Sequence, residues 1–221
     1  MLTERLTDLK KELVEYGALV ESMIEKSMRG LLERDSSTLV RIIEQDELRA
    51  NQQEIDLDET CTSLIAQFQP AAGDLRAILM ISRMNNDLER LADHAVNIAQ
   101  SSLYLIERPQ VKPLIDLPKM SRRAISMLKE SINSFINEDE ELALKVCEQD
   151  NEVDDYRRKI LTELINVMTR DPLTIERSLH LLRISSNLER IADLSTNIGE
   201  DVIFMVKGRI IKHHQDEAEE A

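Results

Sequence analysis

Glu89 and Asp93 stand four residues apart in Asn86-Asp-Leu-Glu-Arg-Leu-Ala-Asp93-His-Ala-Val-Asn97-Ile. Glu189 and Asp193 do the same one hundred residues on, in Ser186-Asn-Leu-Glu-Arg-Ile-Ala-Asp193-Leu-Ser-Thr-Asn197-Ile. The shared Leu, Glu, Arg, Ala, Asp, Asn and Ile positions point to an internal duplication rather than to chance in an acidic chain. On a helix turning roughly 100° per residue, Asp93 lies about 40° and Asn97 about 80° from Glu89, with Met84, Leu88, Leu91 and Ala95 centred on the opposite side. The carboxylates are therefore expected on a face turned from the core. Glu189, Asp193, Asn197 and Glu200 form the equivalent stripe, with Asp201 next to its end. Carboxylates at i and i+4 repel by about 0.2–0.5 kcal/mol unless a positive group sits between them.

The preceding helix carries matching acids. Glu47, Asn51, Glu54 and Asp58 follow one stripe in the first half, and Asp150 and Asp154 follow one in the second, at an offset of 103. If consecutive helices are antiparallel, Glu47 and Asn51 can face Glu89 and Asp93, and Asp150 and Asp154 can face Glu189 and Asp193. Each half then presents an open patch of oxygen ligands. Carboxylates without thiolates, and with few imidazoles, suit iron, manganese, magnesium or calcium, with zinc less favoured. The second patch reads as the stronger, because Asp154 supplies an anion where Asn51 is neutral. His94 is rotated about 100° from Asp93 and reads as a satisfied or solvent-facing histidine rather than a ligand. The paired Glu-x-x-His motifs of a ferritin-like centre are missing. Arg90 and Arg190 either pair with nearby carboxylates or are solvated, and for the stripes themselves a plain acidic solvent face is the competing reading.

The elements that must position these groups are helices. Five glycines, five prolines and 3% aromatic residues, against 42% apolar and 32% charged, make a helix-forming composition with little to build a sheet. Leu2, Leu6, Leu9, Leu13, Tyr16, Val20 and Met23 form a bundle seam in the first helix. Asp35-Ser-Ser-Thr supplies caps for a second helix, which carries Leu39, Ile43, Ala50, Leu57, Cys61, Leu64 and Phe68 and stops at Gln69-Pro70. A third runs from near Ala71 to about Glu107, and Pro109, Pro113 and Pro118 follow as a boundary. The second half repeats the plan: one helix to Asn137, one to Arg170-Asp-Pro172, and a last one bearing Leu179, Ile184, Leu188, Ile191 and Ile198 up to Gly208, suited to a left-handed cap. The expectation is an all-α protein of two tandem three-helix bundles, 1–108 and 114–212, with a polar acidic tail over 213–221.

The formal charge of -14 argues against a direct grip on nucleic acid or an anionic bilayer. There is no apolar run long enough to span a membrane and no signal-peptide pattern, so the expected location is cytoplasmic, reaching the membrane only through membrane-protein partners. Cys61 and Cys147 are expected at matching places in the two halves, as reduced core residues.

With these motifs the chain resembles the PhoU family of phosphate-uptake and phosphate-signalling regulators, over residues 1 to 212. The resemblance is carried by the two Glu-Arg-x-Ala-Asp phrases, by Asn197-Ile-Gly-Glu-Asp201 running into Val-Ile-Phe-Met-Val-Lys-Gly208, and by Glu47-Leu-Arg-Ala-Asn51 and Asp150-Asn-Glu-Val-Asp154. Asn51 departs from the acidic ending of that last motif. The resemblance implies two tandem three-helix bundles able to bind multinuclear iron or zinc clusters on their surfaces, and it permits a homodimer or higher assembly. It implies a cytoplasmic brake on the high-affinity phosphate ABC transporter and on a sensor histidine kinase, acting by contact with the transporter ATPase and the kinase, with no substrate turned over. On this reading Glu47, Asn51, Glu89, Asp93, Asp150, Asp154, Glu189 and Asp193 hold the metals, with Asn97, Asn197, Glu200 and Asp201 as further candidates. Two other classes stay open on the residues alone. One is a metal-dependent enzyme or metal store built on the same carboxylates, the other a helical scaffold whose acids only keep it in solution.

Overall fold

The apolar seams close into eight α-helices in the computed structural model, which describes residues 2–208. The acidic stretch 213–221 lies outside the described residues. Helix α1 spans Leu2–Glu33, α2 Ser36–Arg41, α3 Glu47–Phe68 and α4 Ala72–Ile106. In the second half α5 spans Asp116–Asn137, α6 Glu140–Glu148, α7 Asp150–Arg170 and α8 Ile175–Lys207. Helices α1, α2–α3 and α4 make one three-helix bundle, and α5, α6–α7 and α8 make the other.

Local chemistry sets the boundaries. Asp35 caps α2 by accepting from Ser37 N at 3.0 Å and Thr38 N at 3.2 Å. Hydrogen bonds from Thr38 and Ser37 favour its ionised form and hold its carboxyl down at about 2. Asp139 caps α6 in the same way, accepting from Leu142 N at 3.0 Å. Helix α3 ends before Pro70 with Gln69 in the left-handed region, and Gly208 closes α8 at φ 68°.

Three features depart from the sequence expectation. The second helix of each half is not continuous. The first passes through a π-helical turn over Ile42–Asp46, and the second breaks at Gln149. At that break each half buries a polar residue against the first helix of its bundle. Asp46 is paired with Lys26 at 3.0 Å, and Gln149 donates to Glu130 at 3.1 Å. Leu179, expected in the seam, is 54% exposed, whereas Ser178 beside it is buried. The cysteines are both buried and free, but they are not equivalents. Cys61 lies on α3 at the place of buried Leu164, while Cys147 lies on α6 against Gly199. Burial pushes both thiols up to about 12, which suits inert core residues.

The bundles pack chiefly through α4 on α8, with α1 on α5 alongside, and one apolar core runs through both halves. The two long helices are antiparallel. Arg83 reaches Asp201 at 3.5 Å near one end, His94 Nδ1 shares a 2.8 Å hydrogen bond with Asn187 Oδ1 near the middle, and Tyr104 stacks on His180 at 3.9 Å near the other end. A side chain at Gly199 would bring its Cβ to 3.1 Å from the carbonyl oxygen of Ala143 on α6, an atom that cannot rotate away. Gly199→Ala is therefore expected to lose about 1–3 kcal/mol of stability, read as a lower urea midpoint with unchanged slope.

Candidate functional site

In the second bundle the Asp154 side of the expected juxtaposition forms. Glu189 and Asp193, one turn apart on α8, lie within electrostatic reach of Asp154 on α7, whose charge raises the pKa of both. Burial is the larger cause in each case, because it disfavours the ionised form. Two guanidiniums answer these carboxylates. Arg157 Nε lies 2.8 Å from Glu189 Oε2, and Arg190 Nη1 lies 3.3 Å from Asp193 Oδ2. Asp150 opens α7 one turn before Asp154.

In the first bundle Glu89 is half-buried and Asp93 exposed on α4. The α3 carboxylate whose charge acts on Glu89 is Glu54, which the spacing argument had placed on the stripe but not in the site. Glu47 and Asn51 lie two turns and one turn before it on α3, and Asn51 is exposed. Burial first, then Asp93 and Glu54, raise the Glu89 pKa. Arg90 is turned to Asp87 at 3.4 Å. Beneath this group Tyr16 of α1 is fully buried and its hydroxyl has no protein hydrogen-bond partner. Burial pushes the Tyr16 phenol up, and the charges of Glu89, Glu54 and Asp93 push it further. Asn85, 1% exposed, donates from Nδ2 to the Glu54 carbonyl at 2.9 Å, while its Oδ1 is unpartnered. The spacing argument missed Tyr16, Asn85 and Arg157, because it took the core face of α4 and α1 as packing alone and read α7 only for acids.

The remaining candidates separate from these two groups. Asn197, Glu200 and Asp201 line a cleft of about 300 Å³ at the seam between bundles, facing Arg83, Asn86 and Asp87 of α4. Asn97 is exposed on α4. Burial, opposed by Arg83 and reinforced by Asp87, brings the Asp201 carboxyl up to about 6. His94 spends its Nδ1 on Asn187, in keeping with a satisfied histidine. Among the described residues no three His, Cys, Asp or Glu side chains are gathered at metal-holding distance, so a cation would have to draw the carboxylates inward. Chemically these rims can attract a cation or a basic surface. Among the described residues no helix is long and apolar enough to cross a membrane.

Comparison with known proteins gives this arrangement a lineage. A family model described as the PhoU domain matches twice, over residues 13–102 and 117–202. The chain is 34% identical over 217 residues to the phosphate-specific transport system accessory protein PhoU homolog 2 of Thermotoga maritima, covering 98% of this chain and 92% of that one. It is 35% identical over 212 residues to the PhoU homolog of Aquifex aeolicus, covering 96% of each. Among solved structures, PhoU from Pseudomonas aeruginosa superposes with a TM-score of 0.91 at 32% identity, over 95% of this chain and 100% of that one. The phosphate transport system regulatory protein PhoU from Streptococcus pneumoniae gives 0.88 at 26% identity, over 96% and 100%. With both repeats matched along nearly its whole length, this chain belongs to the PhoU family.

Proposed function

We propose that this protein is a cytoplasmic negative regulator of high-affinity phosphate uptake and of phosphate-starvation two-component signalling, acting by protein–protein contact rather than by turnover. The observation that carries this reading is the double match to the PhoU domain, with relatives named as accessory proteins of the phosphate-specific transport system. The partners in this reading are the ATPase of the phosphate ABC transporter and a sensor histidine kinase. The paired acidic rims support it, since carboxylates set on rigid helices at the rim of a bundle suit docking to a basic surface or holding metal ions, iron or zinc among them. Assembly as a homodimer, which the resemblance permits, belongs to the same reading.

The test is a pull-down of the transporter ATPase and the sensor kinase at high and at low phosphate. Wild type is expected to retain both at high phosphate, and an Asp93→Asn/Asp193→Asn double variant to retain several-fold less. Retention of neither partner by wild type at either phosphate level would remove the contact reading.

A further inference from the structure

Where the two bundles join, the ends of α1 and α4, Leu181 of α8 and the segment connecting α4 to α5 enclose a cavity of about 120 Å³. Its walls are apolar, among them Leu31, Ile106, Val111, Leu114 and Leu181. Gln110 is the one neutral polar residue of the lining, and Arg34 the one charged residue. Such a site, apolar with a few convergent polar groups, has the make-up of a small-molecule site rather than of a packing fault.

Arg34 stands at φ 57°, in the left-handed region where glycine or asparagine follows a helix at lower cost. Its counterpart in the second half is Glu138, at φ 52° and likewise just before a capping aspartate, Asp139. At both places a long charged side chain is kept for what it reaches. Glu138 pairs with Lys10 at 2.7 Å. Arg34 forms no ion pair among the described residues; its Nη2 donates to the Ile106 carbonyl and, at 3.3 Å, to the Arg108 carbonyl, which fixes the guanidinium at the cavity. The N–H groups on Nε and Nη1 are left without a protein partner among the described residues. Asp35, the next residue, spends both carboxylate oxygens on Ser37 and Thr38 and does not neutralise Arg34. The charge of -14 on the whole chain is screened beyond about 8 Å at physiological salt, so Arg34 decides what sign of ligand the cavity accepts.

An apolar cavity of about 150 Å³ holds benzene, so one of about 120 Å³ holds an aliphatic body of roughly five carbons. A guanidinium with donors to spare receives a carboxylate through charge-assisted hydrogen bonds. We infer that this cavity binds a compact aliphatic carboxylate, with its chain among Leu31, Ile106 and Leu181 and its carboxylate on Arg34. Inorganic phosphate has no apolar body to bury and does not fit the site. A ligand held there touches α1, α4, α8 and the connection between the bundles at once. The inference goes beyond the proposed function and does not depend on it.

The experiment follows leucine and isoleucine methyl resonances of the full-length chain during titration with straight-chain carboxylates from acetate to decanoate. Affinity is expected to rise about fourfold per added methylene while the chain fills the cavity, and to stop rising near hexanoate. Nuclear Overhauser contacts from bound pentanoate should reach Leu105 and Leu181, one wall from each bundle. Pentanol, equal in length but uncharged, is expected to bind about tenfold more weakly than pentanoate. Arg34→Met should weaken pentanoate by about tenfold and leave pentanol unchanged. Leu31→Phe brings in the ring that the second half buries as Phe135, and by narrowing the cavity it should weaken both ligands several-fold. The chain-length series and the alcohol comparison use wild type alone and decide the matter if a variant fails to fold. No methyl shift with any carboxylate, affinity still rising through decanoate, contacts away from Leu105 and Leu181, equal binding of pentanoate and pentanol, or displacement of pentanoate by equimolar phosphate would each overturn the inference.

Discussion

Replacing Lys26 by methionine is expected to cost about 2–4 kcal/mol of folding stability. Methionine keeps most of the aliphatic stem, so the loss isolates the charge. Asp46 is 1% exposed in the π-helical turn, and Lys26 Nζ lies 3.0 Å from its Oδ2. Removing one member of a buried pair leaves the other charged and desolvated, which costs more than the pair ever contributed. A second substitution, Asp46→Asn, should recover much of the loss in the Lys26→Met background, since a neutral amide tolerates burial better. The equivalent place in the second bundle behaves differently. There Gln149 is neutral, and Glu130 also accepts from Ser126 at 2.8 Å and lies 3.5 Å from Lys145. Glu130→Gln should therefore cost only about 1 kcal/mol. Urea denaturation of the three variants measures this, and equal losses in the two bundles would contradict it.

Asp201→Asn is expected to stabilise the protein at neutral pH by about 1–3 kcal/mol. The Asp201 carboxyl is raised from 3.8 to about 6, burial being the main cause, and its side chain is only 15% exposed at the seam between bundles. The sign follows from proton uptake. Between about pH 4 and pH 6 the folded state holds a proton on Asp201 that the unfolded state has released, so stability falls as pH rises through this window. Above pH 6 both states are ionised, and the full desolvation cost is carried at pH 7. The advantage of Asp201→Asn should be greatest at pH 7 and shrink toward pH 4. Arg83, its 3.5 Å partner, is 63% exposed and loses little when the charge goes. His94 and His180, both shifted down mainly by burial, oppose acid stabilisation in wild type and variant alike, so the difference at each pH isolates Asp201. Thermal melts from pH 4.5 to 7.5 supply the comparison, and a variant less stable than wild type at pH 7 would refute the assignment.

Helix boundaries were legible because they rest on local chemistry: Asp35 as a cap, Pro70 and Pro172 as stops, Gly208 at positive φ. The breaks at Ile42–Asp46 and at Gln149 were not, since the apolar seam continues through both and the cause is a buried polar contact to a distant helix. Leu179 was misplaced for a related reason. Helix α8 is covered by α5, α6, α7 and α4, so much of its circumference is buried and no single stripe marks the core.

The site was legible to the same extent. Spacing along one helix was enough to bring Glu189 and Asp193 together, and the assumption of antiparallel neighbours set Asp154 of α7 beside them. Which residues meet across two helices depends on their axial offset, which periodicity does not contain. Glu54 was therefore passed over for the turn before it, and Asn197, Glu200 and Asp201 turned out to face the other bundle. One signal was available and unused. Aligning the second helices of the two halves at their offset of 103 sets Glu54 against Arg157, a charge reversal inside an otherwise repeated acidic motif.

The most direct test of the central claim, regulation of phosphate uptake and signalling through contact, is repression of a phosphate-starvation reporter in bacterial cells lacking their own PhoU protein. Expression of this chain at high phosphate should restore repression, and the Asp93→Asn/Asp193→Asn variant at equal abundance should restore it only weakly. A reporter that stays fully active at high phosphate while wild-type protein accumulates in folded form, with the host's transporter and kinase present, would contradict the account.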